Sequence, residues 1–576
     1  MPLPVPADPS VSPTPLPRSA SPTRPTSSGW PSAATRGSRR SSTRHLRVPE
    51  PPVESVTVIA EPGTFAELWQ RATASFPDAP FFVFEDRAGD QHSWTYAAFD
   101  KAVERVADTL AAHGVRPGDA VHVVLRNSPA FVAIWLAVSE IGAFMVPVDP
   151  ASTVPDIDRQ VRRVSPRLAV CADERRAVYD EGAQGRVPVV LSVTEGAEDL
   201  SAGSPLIAGA DRRVTDSPVT ADTRLAVMFT SGTTAEPKGV VLTQGNYAYV
   251  ARSMAALADL EGGHRWLVCL PLFHANAQYY CFAPAISVGA SVALTASFSA
   301  SRWLQQAHDL KVTHASLFAA PIRMILARRP ADPPSLRLQH VWFAQNISAA
   351  QFDEFSALVG CRPRQLYGMT ETLAVVFADT GPAPRHDVIG LPAPGRVIAV
   401  QLPEAGAPAP DGSPGMLSLA GRPGVELFQE YLGLPSPFQE DEEGTSWFCT
   451  GDLVSREADG RYRFHGRDDD VIKVGGENVS LSEVETVLSG APGILEVAVV
   501  ARPDEMLDRV PVAFAVPRDL SQPPAVEALQ EWAAANLVPA ARPRAYQLLD
   551  ELPRTSVGKI RRFQLKAAAE AMEATS

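Results

Sequence analysis

An apolar run from Leu225 to Phe229 gives way to Thr230, Ser231, Gly232, Thr233 and Thr234, then to Pro237, Lys238 and Gly239. A second apolar run opens at Val240. Small residues let backbone N–H groups and hydroxyls converge on one anion, and Lys238 adds a fixed positive charge. Phosphate suits such a loop. A Walker loop would need Gly, four residues, then Gly-Lys-Ser/Thr opening a helix. Here Lys238 is followed by Gly239 and strand-like residues, so the loop is of another kind. Alone, it also fits an ordinary turn between strands.

Four further stretches could serve the same chemistry. Tyr367-Gly368-Met369-Thr370-Glu371-Thr372 follows strand-like Gln365 and Leu366, at a strand end where α/β sheets place their sites. An aromatic ring before a glycine can stack on a purine, and Glu371 can hold Mg²⁺ beside phosphate oxygens. In Thr450-Gly451-Asp452 the carboxylate follows a tight glycine turn and can accept hydrogen bonds from both hydroxyls of a ribose. Arg467 precedes Asp468, Asp469 and Asp470, and Gly475-Gly476-Glu477-Asn478 comes soon after. Near the end, Leu552-Pro553-Arg554-Thr555-Ser556-Val557-Gly558 leads to Lys559. In isolation each of these is a common solvated turn or a surface charge.

Taken together and in this order, the stretches resemble the motifs of the adenylate-forming superfamily: acyl-CoA synthetases, peptide-synthetase adenylation domains and luciferases. The likeness extends to 114–119, 142–150 and 390–395, and covers roughly 60–570. It implies a phosphate-binding loop at 230–239, with Thr230 and Glu371 as metal ligands. Tyr367 would stack on adenine with Gly368 beside it at the nucleotide, Thr370 would contact the α-phosphate, and Asp452 and Arg467 would bind ribose and phosphate. Asp469 would be the hinge of a small domain, and Gly475 and Gly476 would let a pantetheine arm pass close to backbone. Lys559 would bridge the attacking carboxylate and the α-phosphate, and His274 in Pro271-Leu272-Phe273-His274 would gate the acyl pocket. Implied co-substrates are ATP with Mg²⁺, a small-molecule acid, and CoA or a carrier protein; a homodimer is the family-level expectation.

The resemblance points to an ATP-dependent acid–CoA ligase. Other readings are an adenylation enzyme loading a carrier protein, a secondary-metabolism member activating nitrite, and a nucleotide-binding protein without turnover. Ala275 and Asn276 after the gate lack the Asp that would pair with an α-ammonium, which argues against amino acids. Phe318, Ala319 and Met324 are candidates for the acyl pocket and equally for core packing. Where most acyl-CoA synthetases carry Gly-Gly-Ala-Pro, this chain has Phe343-Ala344-Gln345-Asn346-Ile347-Ser348. That form, with 423–433 and 475–480, looks like the crotonobetaine/carnitine–CoA ligase branch. Gln345 and Asn346 then bring side chains to a wall that is usually bare backbone, and a smaller or more polar acid than a long fatty acid is expected.

The elements that must position these groups follow from pattern. The chain has 576 residues, 45% of them apolar and 20% charged, enough for several cores. A net charge of −13 speaks against nucleic acid as a partner. Cys171, Cys269, Cys281, Cys361 and Cys449 are scattered, without metal spacing, as in a reducing, cytoplasmic setting. The longest apolar stretch, 131–148, holds Ser139, Glu140 and Pro147 and reads as buried helix plus strand, not a membrane span. Residues 1–52, rich in Pro, Ser and Arg, read as a disordered tail. From 53 to 467, helices (65–74, 97–113, 131–141) alternate with strands (120–125, 144–148, 169–172, 226–229, 266–270, 291–294, 340–343). This predicts an α/β domain of mostly parallel sheets. A β-rich subdomain follows from about 387. Residues 468–576 predict a small, mobile α+β domain.

Overall fold

The computed structural model describes residues 63–208, 219–230, 237–402, 406–554 and 560–572, the side chains at 469 and 478 apart. The tail at 1–52 lies outside them. Two large sheets carry the α/β fold. In the nine-stranded sheet, Arg364–Tyr367, His340–Ala344, His314–Phe318, Arg265–Val268, Ser291–Thr295 and Pro80–Glu85 run parallel in that order. Antiparallel strands close both its edges. In the seven-stranded sheet, Arg224–Thr230, Phe144–Pro147, Ala120–Val124, Leu168–Ala172 and Val189–Val193 are parallel. Lys238–Thr243 and Glu430–Tyr431 add antiparallel strands at one edge.

Parallel strands are covered on both faces and read as continuous apolar runs. Ala120–Val124 is buried at every position. The helix Pro129–Ile141 is apolar but for Ser139 and Glu140 and is buried at every position. At 13 residues it is short of the roughly 20 that a span requires, and no described helix is long and apolar enough to cross a membrane. The strand Gln91–Thr95 stops short of Tyr96, because Thr95 accepts from the Ala98 N–H and so starts the helix Tyr96–Ala112.

Two smaller sheets follow. The first joins Val397–Gln401, Gly415–Ala420, Ser446–Arg456, Phe438–Glu440 and Tyr462–Arg467. Residues 450–452, expected as a turn, lie inside the long strand Ser446–Arg456. The ladder to Gly415–Ala420 shifts register between Met416 and Ser418, and Gly451 sits at φ 77°. The tight glycine is thus a β-bulge, which re-aims Asp452 without ending the strand. The last sheet holds Val471–Val474, Glu477–Ser480, Ile494–Asp504, Asp508–Pro517 and Ala545–Leu548, with its own apolar cluster around Val484, Leu488, Val499 and Leu529.

The large sheets bury several imidazoles. His122 lies wholly inside, its Nδ1 2.9 Å from the Tyr179 hydroxyl. His314 and His340 stack at 5.6 Å on neighbouring strands. Burial drives the His122 pKa down to about 3 and that of His314 to about 4, and lowers His340 as well. These rings are neutral in the fold, whereas the unfolded chain takes up protons near pH 6.5. Stability is therefore full above pH 6.5 and falls as the pH drops toward 4. At pH 5 His122 and His314 should each cost about 2 kcal/mol. Urea midpoints at pH 7 and pH 5 check this; equal midpoints would contradict it.

Candidate functional site

Four strands of the nine-stranded sheet end side by side. After Arg364–Tyr367 comes Gly368, after His340–Ala344 come Gln345 and Asn346, after His314–Phe318 comes Ala319, and after Arg265–Val268 comes the 271–274 loop. Because the strands are parallel and adjacent, their carboxyl ends share one edge, the usual place for a ligand crevice. Asn127, just past the strand Ala120–Val124, fastens the other large sheet to this edge. Its Nδ2 donates to the carbonyls of Leu270 and Thr295, each at 3.1 Å, and its Oδ1 accepts from Leu272 N–H at 2.8 Å.

One group at this edge joins Tyr367, Asp452 and Arg467. The Tyr367 hydroxyl donates to Asp452 Oδ2. Arg467 Nε lies 3.2 Å from Asp452 Oδ1, across the ladder that pairs the two residues. That ion pair falls outside hydrogen-bond geometry, leaving Oδ1 buried and otherwise unbonded among the described residues. Burial pushes the Asp452 carboxyl above its ordinary pKa, against the pull of Arg467 and Tyr367. Gly368 is required by space: a Cβ there would meet the Tyr280 hydroxyl at 2.8 Å.

A second group joins Glu371, Tyr431 and Lys238. Thr370–Thr372 forms a 3₁₀ turn that buries Glu371. Glu371 Oε1 accepts from the Tyr431 hydroxyl at 3.0 Å, and Lys238 Nζ stands 4.8 Å from the centre of the Tyr431 ring. Tyr431 pairs with Val240, which brings its ring beside Lys238. Thr230 ends its strand directly opposite Lys238. Ser231, Gly232, Thr233 and Thr234 lie outside the described residues. A carboxylate with a nearby hydroxyl is a hard-oxygen donor set that suits Mg²⁺. No group of three His, Cys, Asp or Glu among the described residues is placed to hold a metal ion, so a cation here would depend on substrate phosphates for its remaining ligands. Tyr431→Phe should raise the KM for Mg²⁺-ATP at least about tenfold, the worth of one hydrogen bond to a charged carboxylate. Steady-state kinetics with an unchanged KM would contradict that.

The other expected residues are distributed as follows. His274 packs on Phe273 with ring centres 4.6 Å apart. Gln345 has φ 75°, a left-handed conformation that costs a non-glycine residue roughly 1–2 kcal/mol. Asn346 Nδ2 donates to Thr486 Oγ1 at 3.2 Å, reaching the C-terminal part of the chain. Asp469 sits in the 3₁₀ turn Asp468–Asp470, between Tyr462–Arg467 and the last sheet. Gly475 and Gly476, at φ 58° and 94°, turn the chain between Val471–Val474 and Glu477–Ser480, and the Gly475 N–H donates to the Leu507 carbonyl at 3.0 Å. No hydrogen bond or ion pair among the described residues joins them to Tyr367 or Asp452. Lys559 lies outside the described residues. Its flanks, Arg554 and Ile560, line a cleft of about 360 Å³ with Ala320, Gln345 and Asn346.

Arg396 has no counterpart among the motifs, yet it organises the turn that carries Glu371. Its guanidinium, 8% exposed, donates to the carbonyls of Thr372, Ala374 (2.7 Å), Val375 (3.2 Å) and Glu426 (2.9 Å). Backbone acceptors are not written in side-chain types, which is why neither Arg396 nor Asn127 stands out in the sequence; only Tyr431 lies in a stretch, 423–433, that sequence singles out.

Comparison with known proteins gives the family and the fold. Residues 69–432 match the family model of the AMP-binding enzyme, and 483–559 that of the AMP-binding enzyme C-terminal domain. A crotonobetaine/carnitine–CoA ligase of Salmonella arizonae is 28% identical over 515 residues, 87% of this chain and 98% of that protein, in keeping with the branch suggested by 343–348. The fold matches an anthranilate CoA ligase in complex with anthranoyl-AMP, with a TM-score of 0.78 at 22% identity over 90% of this chain and 99% of that one. It also matches ATP-bound MatB from Rhodopseudomonas palustris, at 0.75 and 24% over 88% and 99%. With the family model covering most of the chain and the site groups gathered at one sheet edge, this protein belongs to the AMP-binding enzyme family.

Proposed function

We propose that the chain is an ATP-dependent acid–CoA ligase working in two half-reactions. The observation that carries the reading is the Tyr367–Asp452–Arg467 group standing at the same sheet edge as the Thr370–Thr372 turn. In the first step a carboxylate oxygen of the acid attacks the α-phosphorus of ATP. An O–P bond forms, the bond to the β-phosphate oxygen breaks, and pyrophosphate leaves with the electron pair. Tyr367 stacks on adenine, Asp452 and Arg467 hold the ribose, and Thr370 and Lys559 stabilise charge growing on the α-phosphoryl oxygens. Glu371 and Thr230 would hold Mg²⁺, which would supply neutralising charge beside the phosphates. In the second step a thiolate adds to the acyl carbonyl and AMP departs. The part of the chain after Asp469 reorients between the steps, withdrawing Lys559 and presenting Gly475 and Gly476 to the thiol arm.

The acid itself is small or polar on this reading. Gln345 keeps a strained backbone to present a side chain at the crevice wall. In the π-helix Asn276–Phe282 after the gate, Asn276 Oδ1 and the Tyr279 hydroxyl are buried without partners among the described residues. Buried polar atoms rarely stay unpaired, and a substrate bearing hydrogen-bonding groups would satisfy them. An acid-dependent ATP–pyrophosphate exchange panel tests this. Short, aromatic or zwitterionic acids should be turned over best; preference for long-chain acids would reverse the substrate assignment. Product identification by mass spectrometry with CoA, a carrier protein, or nitrite plus an arylamine then fixes the acceptor. Exclusive product from CoA is the expected outcome.

A further inference from the structure

Behind the Thr370–Thr372 turn, away from the crevice, lies a second pocket of about 530 Å³. Arg252 and Ser253 reach it from the helix Gln244–Leu257, Arg364 from the start of the strand that ends in Tyr367, and Arg396 from below the turn. Among the described residues that line it, the one carboxylate is Asp259. None of the three guanidinium groups is in an ion pair among the described residues, and the side chains of Arg252 and Arg364 make no hydrogen bond there either. The Ser253 hydroxyl oxygen is buried and unbonded as well.

For Arg396 this is unusual, because proteins normally pair buried charge, whereas Arg252 and Arg364 are half-buried. Arg396 is almost wholly buried, rests on the Tyr249 ring at 5.3 Å, and meets only carbonyls. A guanidinium has five N–H donors; four of those on Arg396 are committed, and one on Nη1 is not. We propose that this pocket binds a small oligoanion, a phosphate ester or a polycarboxylate, and that the bound anion steadies the Glu371 turn through Arg396. The second half of this inference rests on the function proposed above. The anion would offset the desolvated charge on Arg396 and hold its guanidinium against the carbonyls of Thr372, Ala374 and Val375. The helix wall leads the same way, because Gln244–Leu257 continues directly from the strand that carries Lys238. Linkage then requires that the anion and ATP tighten each other's binding.

The test uses the full chain saturated with AMP, so that the nucleotide crevice is already filled. Inorganic phosphate and, separately, citrate are titrated at constant ionic strength by calorimetry. Single-site binding is expected, weakened at least tenfold in Arg252→Ser/Arg364→Ser and by an intermediate factor in Arg364→Ser alone. Tighter phosphate binding assigns a phosphate ester, and tighter citrate binding a polycarboxylate. In ATP–pyrophosphate exchange the anion should lower the apparent KM for ATP at least threefold. The double variant, active as wild type without anion, should show no such change. Absence of binding to the wild type, or equal binding to the double variant, overturns the site. Binding with an unmoved KM overturns the coupling. Since the calorimetry needs no turnover, an enzyme that activated no acid would still report on the pocket.

Discussion

Lys559→Ala should lower the rate of acid-dependent ATP–pyrophosphate exchange by about 10²–10³-fold, the usual cost of one preorganised donor aimed at developing charge. The same variant, given acyl-AMP and CoA, should form thioester within about twofold of wild type. The asymmetry follows from the order of events. Charge builds on the α-phosphoryl oxygens only while the acid attacks phosphorus, and a cation there is worth most in a site from which water is excluded. In the thioester step the phosphate is already part of the leaving group. The cleft between Arg554, Ile560, Gln345 and Asn346 supports this assignment, because residues on either side of Lys559 share it with Gln345 and Asn346, which follow the strand next to the one that ends in Tyr367. Single-turnover assays of each half-reaction read the two rates separately. Equal losses in both would mean that Lys559 serves the architecture of the site and not the first chemical step.

How far the sequence discloses this site depends on who each residue's partner is. Tyr367, Glu371 and Lys238 stand in dense local motifs, because a phosphate loop or a strand-end turn needs several special residues in a row. The α/β alternation was equally plain, since parallel strands buried on both faces leave unbroken apolar runs such as 120–124. Asp452 stands out by its neighbours, but its setting does not. A bulge inside a long strand shows the same Thr-Gly-Asp signature as a turn, and only the register with Gly415–Ala420 separates them. Asn127 reaches partners 143 and 168 positions away, and Arg396 holds carbonyls, so neither leaves a mark in local pattern. Tyr431 meets Glu371 across 60 positions. Its stretch resembled a family branch, but its contact with the carboxylate depends on an edge strand of two residues, Glu430–Tyr431, too short to show any periodicity.

Asp452→Asn should raise the KM for ATP about 10²-fold while leaving the protein as stable as before, or more so. The binding loss comes from charge. A carboxylate accepting from ribose hydroxyls makes hydrogen bonds worth about 1.5–3 kcal/mol each, and a neutral amide with a single acceptor oxygen gives up most of that. The stability side runs the other way. Burial raises the folded-state pKa of Asp452 above its ordinary carboxylate value. The fold therefore favours the protonated form, and its contribution is greatest at low pH. As the pH rises through the ordinary carboxylate value toward the raised one, stability is lost, so at neutral pH the ionised group carries the full penalty. Asparagine has almost the same shape, can still accept from the Tyr367 hydroxyl, and has no charge to bury. Against this, Arg467 loses its counter-charge, but it is 40% exposed and water can serve it. Activity and stability at this position thus pull apart, as they do where a site keeps a costly group for its ligand. Thermal melts of the two proteins at pH 7, alongside KM for ATP, test both halves. A variant that melts well below wild type would show that the Tyr367–Asp452–Arg467 group holds the sheet together, and the loss of ATP binding would then carry no information about ribose.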